Sequence, residues 1–298
     1  MSRMRPIPAD PGVYRFRDAR GRALYVGRAV NLKRRVASYW GDLRDRRHLA
    51  AMVRKVSRVE VVACDSEHEA AWLERNILER SMPPWNRVAG GAESPIYLEL
   101  TTSLAAPGLR TTFRVAAGTQ GFGPYLGGTK ARLAVSALHR LYPLPYTGTR
   151  LTGAERDMAR KLAVGPQHHG DMLAAVSAVL HREASAVAAA RAALAQLRDA
   201  ASADLAFERA QRLHLELAAL EWICAAQQVT VTQPEDLVFY GWAEETLVRF
   251  EVVAGRLCDW QVRSCTAQAA KEKVALTPPH WVRFAQRNAA LAAALRKE

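Results

Sequence analysis

The sequence predicts an α+β protein: a small mixed sheet flanked by helices, an α/β connecting region, a long helical hairpin, and a closing β-hairpin with one more helix. Three observations carry this. Short alternating segments bounded by turn residues occur near both ends of the chain. Leu173, Leu180, Val187 and Leu194 recur seven apart within an alanine-rich stretch. Breaker clusters at 91–95 and 278–279 punctuate the periodic segments. With 298 residues, 49% hydrophobic and 24% charged, the composition is that of a folded chain. The expected segments are 1–95, 96–170, 171–230 and 231–298.

GVYRFR (12–17) and RALYVGR (22–28) alternate, and DARG between them supplies the turn of a hairpin. Asn31 is placed to cap a helix whose apolar positions are Leu32, Val36, Tyr39 and Trp40, and a basic helix is expected over 48–56. SRVEVVAC (57–64) reads as a third strand. Ser66 and Glu69 have capping-box spacing and open a helix that Pro83 and Pro84 terminate. Beyond Pro95, IYLEL and TTFRV read as strands, followed by Gly121-Phe122-Gly123-Pro124 and a short helix over 130–141. The heptad run over 171–228 predicts two antiparallel helices reversing at DAASAD (199–204). LVFYGWA and LVRFEVVAG (237–255) form the closing hairpin, and a helix follows Pro279.

No uninterrupted apolar run approaches the roughly 20 residues of a membrane span, and the first dozen residues lack the apolar centre of a signal peptide. The expectation is a cytoplasmic protein with no membrane partner. Its four cysteines contain no C-x-x-C pair, which argues against a zinc site. The net charge of +13 is uneven: residues 1–60 hold 16 Lys/Arg against 5 Asp/Glu. A concentrated cationic surface is what a phosphate-backbone binder needs, because each neutralised phosphate releases counterions.

Tyr14, Tyr25, Gly27, Arg28, Arg35 and Tyr39 gather on the predicted hairpin and first helix, where Arg35 and Tyr39, four apart, share a face. Such a set can hold a phosphodiester and polarise a nucleophile. Glu74 falls at the edge of the apolar stripe formed with Ala70, Leu73, Ile77 and Leu78. A carboxylate there requires compensation, either by an arginine of the basic helix or by a metal ion.

PGVYRF (11–16) followed by LYVGRAVNLKRRVASYW (24–40) resembles the two signature segments of the GIY-YIG nucleases, in particular those of the UvrC family. The resemblance implies Tyr25 as general base assisted by Tyr14, and Arg35 and Tyr39 as the helix pair; Arg28, Lys33 and Arg34 are the candidate phosphate contacts of this basic segment. The resemblance further implies Glu74 as ligand of one Mg²⁺ or Mn²⁺, with Asn86 twelve residues on as a companion site residue. FGPYLGG…LHRLYPL (122–144) is similar to a later segment of the same family. DLAFERAQRLHLELAALE (204–221) resembles its UVR hairpin, which implies docking to UvrB through Leu205, Phe207 and Leu213. EDLVFYGWAEETLVRFEVVAGRL (235–257) is similar to the opening strands of the family's RNase H-like domain, and the length resembles the short Cho-type homologues.

Two departures stand out. Arg28 replaces the usual lysine, exchanging a compact ammonium for a planar fork. VGPQHHG (164–170) lies where the family has a cysteine cluster, so no iron-sulfur cluster is expected. The adjacent His168 and His169 are expected to be solvent-exposed in a Gly/Pro loop. The implied function is a metal-dependent endonuclease that makes one nick in damaged or distorted double-stranded DNA, as in nucleotide excision repair, and it would be nucleoid-associated. The alternative is an adaptor that keeps the fold and binds DNA or UvrB without turnover. A restriction or homing nuclease would need a sequence-reading module, and none is evident.

Overall fold

The computed structural model describes residues 6–41, 47–87, 94–231 and 234–297. The chain forms two units: Met1–Ala92 together with Ala226–Glu298, and Glu93–Ala225. The C-terminal segment, set apart in the sequence reading, thus shares a unit with the N-terminal one.

In the first unit, β1 (Gly12–Arg17) pairs with β2 (Ala23–Ala29) on one side and β3 (Arg58–Ala63) on the other. Both pairings are antiparallel, so the sheet is not the mixed one expected; strand direction depends on connections that alternation does not encode. Phe16 faces Tyr25 and Arg17 faces Ala23, which leaves Leu24 as the extra residue of a bulge. Asn31 caps α1 (Leu32–Ala37) by accepting from the Arg34 N–H at 2.8 Å, a contribution of about 1 kcal/mol. This helix is shorter than expected; Tyr39 N–H already bonds Val36 C=O in a tighter turn. Helix α2 spans Arg47–Val53, and Ser66 caps α3 (Glu67–Arg80). Leu32, Val36, Met52 and Val61 pack with Tyr14, Phe16 and Tyr39 into one core.

The same unit holds a second antiparallel sheet of β7 (Leu237–Ala243), β8 (Thr246–Val253) and β9 (Arg256–Ser264), followed by α9 (Ala267–Ala275) and α10 (Pro279–Arg296). It has one strand and one helix more than predicted. A Cβ at Gly241 would lie 2.0 Å from the Ala285 carbonyl, so glycine lets α10 approach β7. Arg15 ties this sheet to the first. It is 4% exposed, bonds Glu60 at 2.9 Å and Asp259 at 2.6 Å, donates to the Trp260 carbonyl, and lies 3.9 Å over the Trp260 ring. A buried guanidinium needs such partners to offset its lost hydration. Asn288 of α10 closes the β3 edge, accepting from Ala63 N–H at 2.7 Å and donating to its C=O at 3.1 Å.

The second unit contains the antiparallel sheet β5-β4-β6, from Gly108–Thr112, Ile96–Thr101 and Gln120–Tyr125. Residues 121–124, which follow the predicted strand-rich stretch, are themselves part of the paired strand β6. Helices α4 (Gly128–Leu141), α5 (Gly153–Lys161), α6 (His169–Leu180), α7 (Ala184–Ala203) and α8 (Phe207–Cys224) follow. The expected two-helix hairpin is three helices, because the chain bends by 103° between α6 and α7. DAASAD does not reverse the chain: its alanines continue α7 to Ala203, and Leu205 makes the turn at φ +56°. Glu216, fully buried on α8, is held by Arg140 at 2.7 Å, Arg212 at 3.0 Å and Ser136 at 2.7 Å. His168 and His169 are half-buried instead of exposed. His168 Nδ1 accepts the Gly165 N–H at 3.1 Å, and His169 bonds Thr147 and Thr102 at 3.2 Å each. Among the described residues, no single helix is long and apolar enough to cross a membrane.

Candidate active site

Alternation along β1 sends Tyr14 and Phe16 into the core shared with α1, and the register brings Tyr14 opposite Gly27 on β2. A Cβ at Gly27 would lie 2.4 Å from Tyr14 Oη and 2.8 Å from Tyr25 Cε1. The glycine is therefore what allows two tyrosines to converge over one strand. Tyr14 Oη and Tyr39 Oη are 2.7 Å apart, and Arg35 Nε donates to Tyr14 Oη at 3.2 Å. Arg35 also stands 5.2 Å from the Tyr39 ring, so the pair meets although α1 stops before Tyr39. The Tyr14, Tyr25 and Tyr39 rings are mutually 5.7 to 6.1 Å apart.

The electrostatics here favour the neutral phenols of Tyr14 and Tyr25. Burial pushes the Tyr14 hydroxyl well above its ordinary pKa, reinforced by Tyr39 and Tyr25, while Arg35 pulls it down. Burial likewise pushes Tyr25 up to about 12, reinforced by Tyr39 and by the Glu74 charge, with Arg35 opposing. Glu74 lies on α3 at the predicted stripe edge, its side chain 23% exposed. Burial raises its carboxyl above the usual range against the pull of Arg28 and Arg35.

Glu74 and Asn86 share a structural task. β2 is an edge strand, and its outward backbone groups would otherwise be unpaired. Trp85 N–H donates to Leu24 C=O at 3.2 Å. The Asn86 amide bonds both Val26 N–H, at 3.0 Å, and Val26 C=O, at 2.8 Å. Glu74 Oε1 accepts the Arg28 N–H at 3.1 Å, and its Oε2 faces Arg28 Nε at 3.4 Å. Asn86 is thus a clamp on the strand that carries Tyr25; its amide is spent on backbone. The arginine that pairs directly with Glu74 is Arg28 of β2, and Arg35 of the basic helix α1 adds a weaker attraction.

The structure brings together Tyr14, Tyr25, Tyr39 and Arg35, with Arg28 farther along β2 and Glu74 reaching it from α3. Lys33 and Arg34 are exposed on α1. In the second unit Leu205 and Phe207 are 71% and 65% exposed, whereas Leu213 is 1% exposed within the α8 core. Leu213 cannot face a partner; its position on the seam between packed helices puts it inside. Gly27 belongs to the set the sequence predicts, but its part is to make room for the tyrosines; Trp85 lies outside that set, although an aromatic residue between a breaker and Asn86 is a signal of close approach.

Glu74 offers a hard carboxylate with a solvent-facing side, and no group of three His, Cys, Asp or Glu that could hold a metal exists among the described residues. One oxygen donor fits a cation that keeps most of its water, such as Mg²⁺ or Mn²⁺, and not a tetrahedral zinc site.

A family model described as a UvrC-like GIY-YIG domain matches residues 10–87. The UvrABC system protein C of Desulforudis audaxviator is 34% identical over 246 residues, covering 78% of this chain and 39% of that protein. The Synechococcus elongatus protein of the same name is 30% identical over 254 residues, covering 80% and 38% respectively. The chain thus spans about two fifths of the length of these relatives. Among solved structures, the GIY-YIG N-terminal endonuclease domain of UvrC from Thermotoga maritima, bound to magnesium, is 27% identical over 29% of this chain and 93% of that chain, with a TM-score of 0.27.

Proposed function

We propose that this chain, in which residues 10–87 are a UvrC-like GIY-YIG domain and which resembles the N-terminal part of UvrC, hydrolyses a phosphodiester of damaged or distorted duplex DNA and makes a single nick. The observation that carries this reading is the convergence of the Tyr14 and Tyr39 hydroxyls with Arg35, the Tyr25 ring 6.1 Å from both tyrosine rings, beside a carboxylate bonded to the strand that carries Tyr25.

In this reading water attacks phosphorus as the phenolate form of Tyr25 takes its proton, and the bond to one ester oxygen breaks, that oxygen leaving with a proton from solvent. Arg35 stabilises the charge that grows on the phosphorane, and Tyr14, held between Tyr39 and Arg35, fixes the orientation of both. Arg28, Lys33 and Arg34 hold the flanking backbone. Glu74 would hold a divalent cation, which supplies charge neutralisation at the scissile phosphate. Tyr25 is a poor base while its pKa stands near 12. The Glu74 charge is one of the influences that keep the proton on, so neutralising Glu74 brings Tyr25 closer to working pH.

Leu205 and Phe207, exposed at the turn between α7 and α8, are the docking residues of this reading for the equivalent hairpin of UvrB. Phe207 borders a cavity of about 490 Å³ with Arg198, Gln211 and His214. The test is a nicking assay on a duplex with one defined lesion, with and without Mg²⁺ and UvrB. A nick that requires Mg²⁺ is the expected result, and no cleavage under any of the four conditions overturns the reading.

A further inference from the structure

The strand that carries Tyr25 also borders a cavity that the reaction above does not use. Leu24, Pro84 and Trp85 form its apolar wall, Lys55 and Arg22 stand at its rim, and it measures about 650 Å³. That volume lies within the range of small-ligand sites. Asp18 also lines it, but its carboxylate is spent within its own turn. Oδ1 accepts the Arg20 and Arg22 N–H groups at 2.9 Å, and Oδ2 accepts Arg22 Nε at 2.8 Å. The rim is therefore left cationic through Lys55.

Trp85 is half-buried. It packs against the cluster containing Tyr14, Phe16 and Tyr39, and its backbone bonds Leu24. The bulge places Leu24 in that same cluster, beside Tyr25 in sequence and in packing. Lys55 Nζ is 5.8 Å from the Trp85 ring centroid, at the outer reach of a cation–π contact and on an exposed, flexible stem. An indole wall with a mobile ammonium above it suits a flat π-system attached to an anion. That is the chemistry of a nucleobase and its phosphate. The excess of 16 basic over 5 acidic residues in 1–60 selects a polyanion as the occupant.

We propose that this cavity receives one unstacked base of the strand being cut, stacked on Trp85 with its phosphate against Lys55. The proposal rests on the endonuclease reading for the identity of the strand. It explains why a tryptophan stands next to the Asn86 clamp: the same short segment then sets both the strand that bears Tyr25 and the base beside the scissile phosphate.

The experiment measures duplex affinity of the full chain carrying Glu74→Gln, so that DNA is bound and not cut. In the duplex, one base at a time is removed from the strand to be nicked. Trp85→Leu, which keeps an apolar side chain against Leu24, is compared at every position. On intact DNA it should weaken binding about 5- to 150-fold, the range contributed by one base stacked on an aromatic ring. At one position, removing the base should cost the tryptophan chain that same factor and the leucine chain nothing more, and Trp85→Phe should restore most of the loss. Equal losses at every position, no loss with Trp85→Leu, or no duplex binding by either chain overturns the proposal. Nicking is read separately on the chain with Glu74 intact. Base coupling without nicking leaves the base site standing and removes the endonuclease; nicking without coupling does the reverse.

Discussion

Gly27→Ala is the smallest change that reaches two tyrosines of the site at once. The added Cβ would lie 2.4 Å from Tyr14 Oη, 2.6 Å from Tyr14 Cζ and 2.8 Å from Tyr25 Cε1, where ordinary contact begins at 3.4 Å. Relief requires the Tyr14 hydroxyl to retreat by about 1 Å and the Tyr25 ring by about 0.6 Å, within a core already packed to crystal density. Tyr14 has nowhere to go: it is fully buried, with its hydroxyl 2.7 Å from that of Tyr39. Overpacking of this kind costs about 1–3 kcal/mol of stability, and a displacement of about 1 Å in a reacting constellation costs about 100-fold in rate. The assay is single-turnover nicking with enzyme in excess, run below the melting transition of the variant, with duplex affinity measured in parallel. A rate loss of about two orders of magnitude is expected with affinity nearly intact, because the cationic surface is untouched. Gly153→Ala, where a Cβ would meet nothing within 4 Å, serves as the neutral comparison. A Gly27→Ala chain that nicks at the wild-type rate refutes the claim that this close approach positions the tyrosines.

Glu74→Gln should abolish nicking and leave duplex affinity nearly unchanged. Burial raises the folded-state pKa of Glu74 above its unfolded value, so its stability contribution is full at acid pH and declines as pH rises through the folded pKa. In chelator the wild type should therefore lose stability across that window relative to Glu74→Gln, and added Mg²⁺ should raise the melting temperature of the wild type alone; an equal Mg²⁺ shift in both chains contradicts the ligand role. With Tyr25 at about 12, the nicking rate should climb roughly tenfold per pH unit from 6 to 9 without a plateau, and Tyr25→Phe should flatten that slope. Asn86→Ala leaves the Val26 N–H and C=O unpaired and should cost about 1–3 kcal/mol, with faster hydrogen exchange at Val26; unchanged exchange would show the clamp to be dispensable. Because Phe207 is 65% exposed, Phe207→Ala should weaken UvrB binding while the melting temperature stays within error, and a fall in melting temperature would mean that it packs internally.

What could be read from the sequence was local. Strand alternation around Tyr14, the caps at Asn31 and Ser66, and the position of Glu74 on its stripe depend on neighbours within a few residues, and each has a periodic or positional signature. The break between α6 and α7 had none, because the seven-residue spacing from Leu180 to Val187 persists across the bend. Arg15 reads as an ordinary basic residue on an alternating strand. Its burial depends on Asp259 and Trp260, contributed by a strand about 245 residues away for which spacing gives no hint. The Asn86 clamp was equally illegible, since an asparagine after a breaker is usually a turn residue. Leu213 fits a seam between chains by its place in the helical period, and it fits one within the chain equally well, which is where it packs.

The pairing of Asn288 with Ala63 has a consequence for the order of events during synthesis. The strands bearing Tyr14 and Tyr25 leave the ribosome early, but the side chain that closes the β3 edge, and the acid that answers Arg15, are translated only after residues 93–225 have been made. At about 5–20 residues per second the nascent sheet waits roughly 10–40 s with one flank open and a guanidinium lacking its second carboxylate. The wait is a matter of kinetics rather than of final stability, because joining the ends of so long an intervening segment adds entropy only logarithmically. The sheet that bears Tyr14 and Tyr25 is therefore finished by side chains encoded 225 and 244 residues after the positions they meet, so its completion lags far behind the synthesis of its own strands.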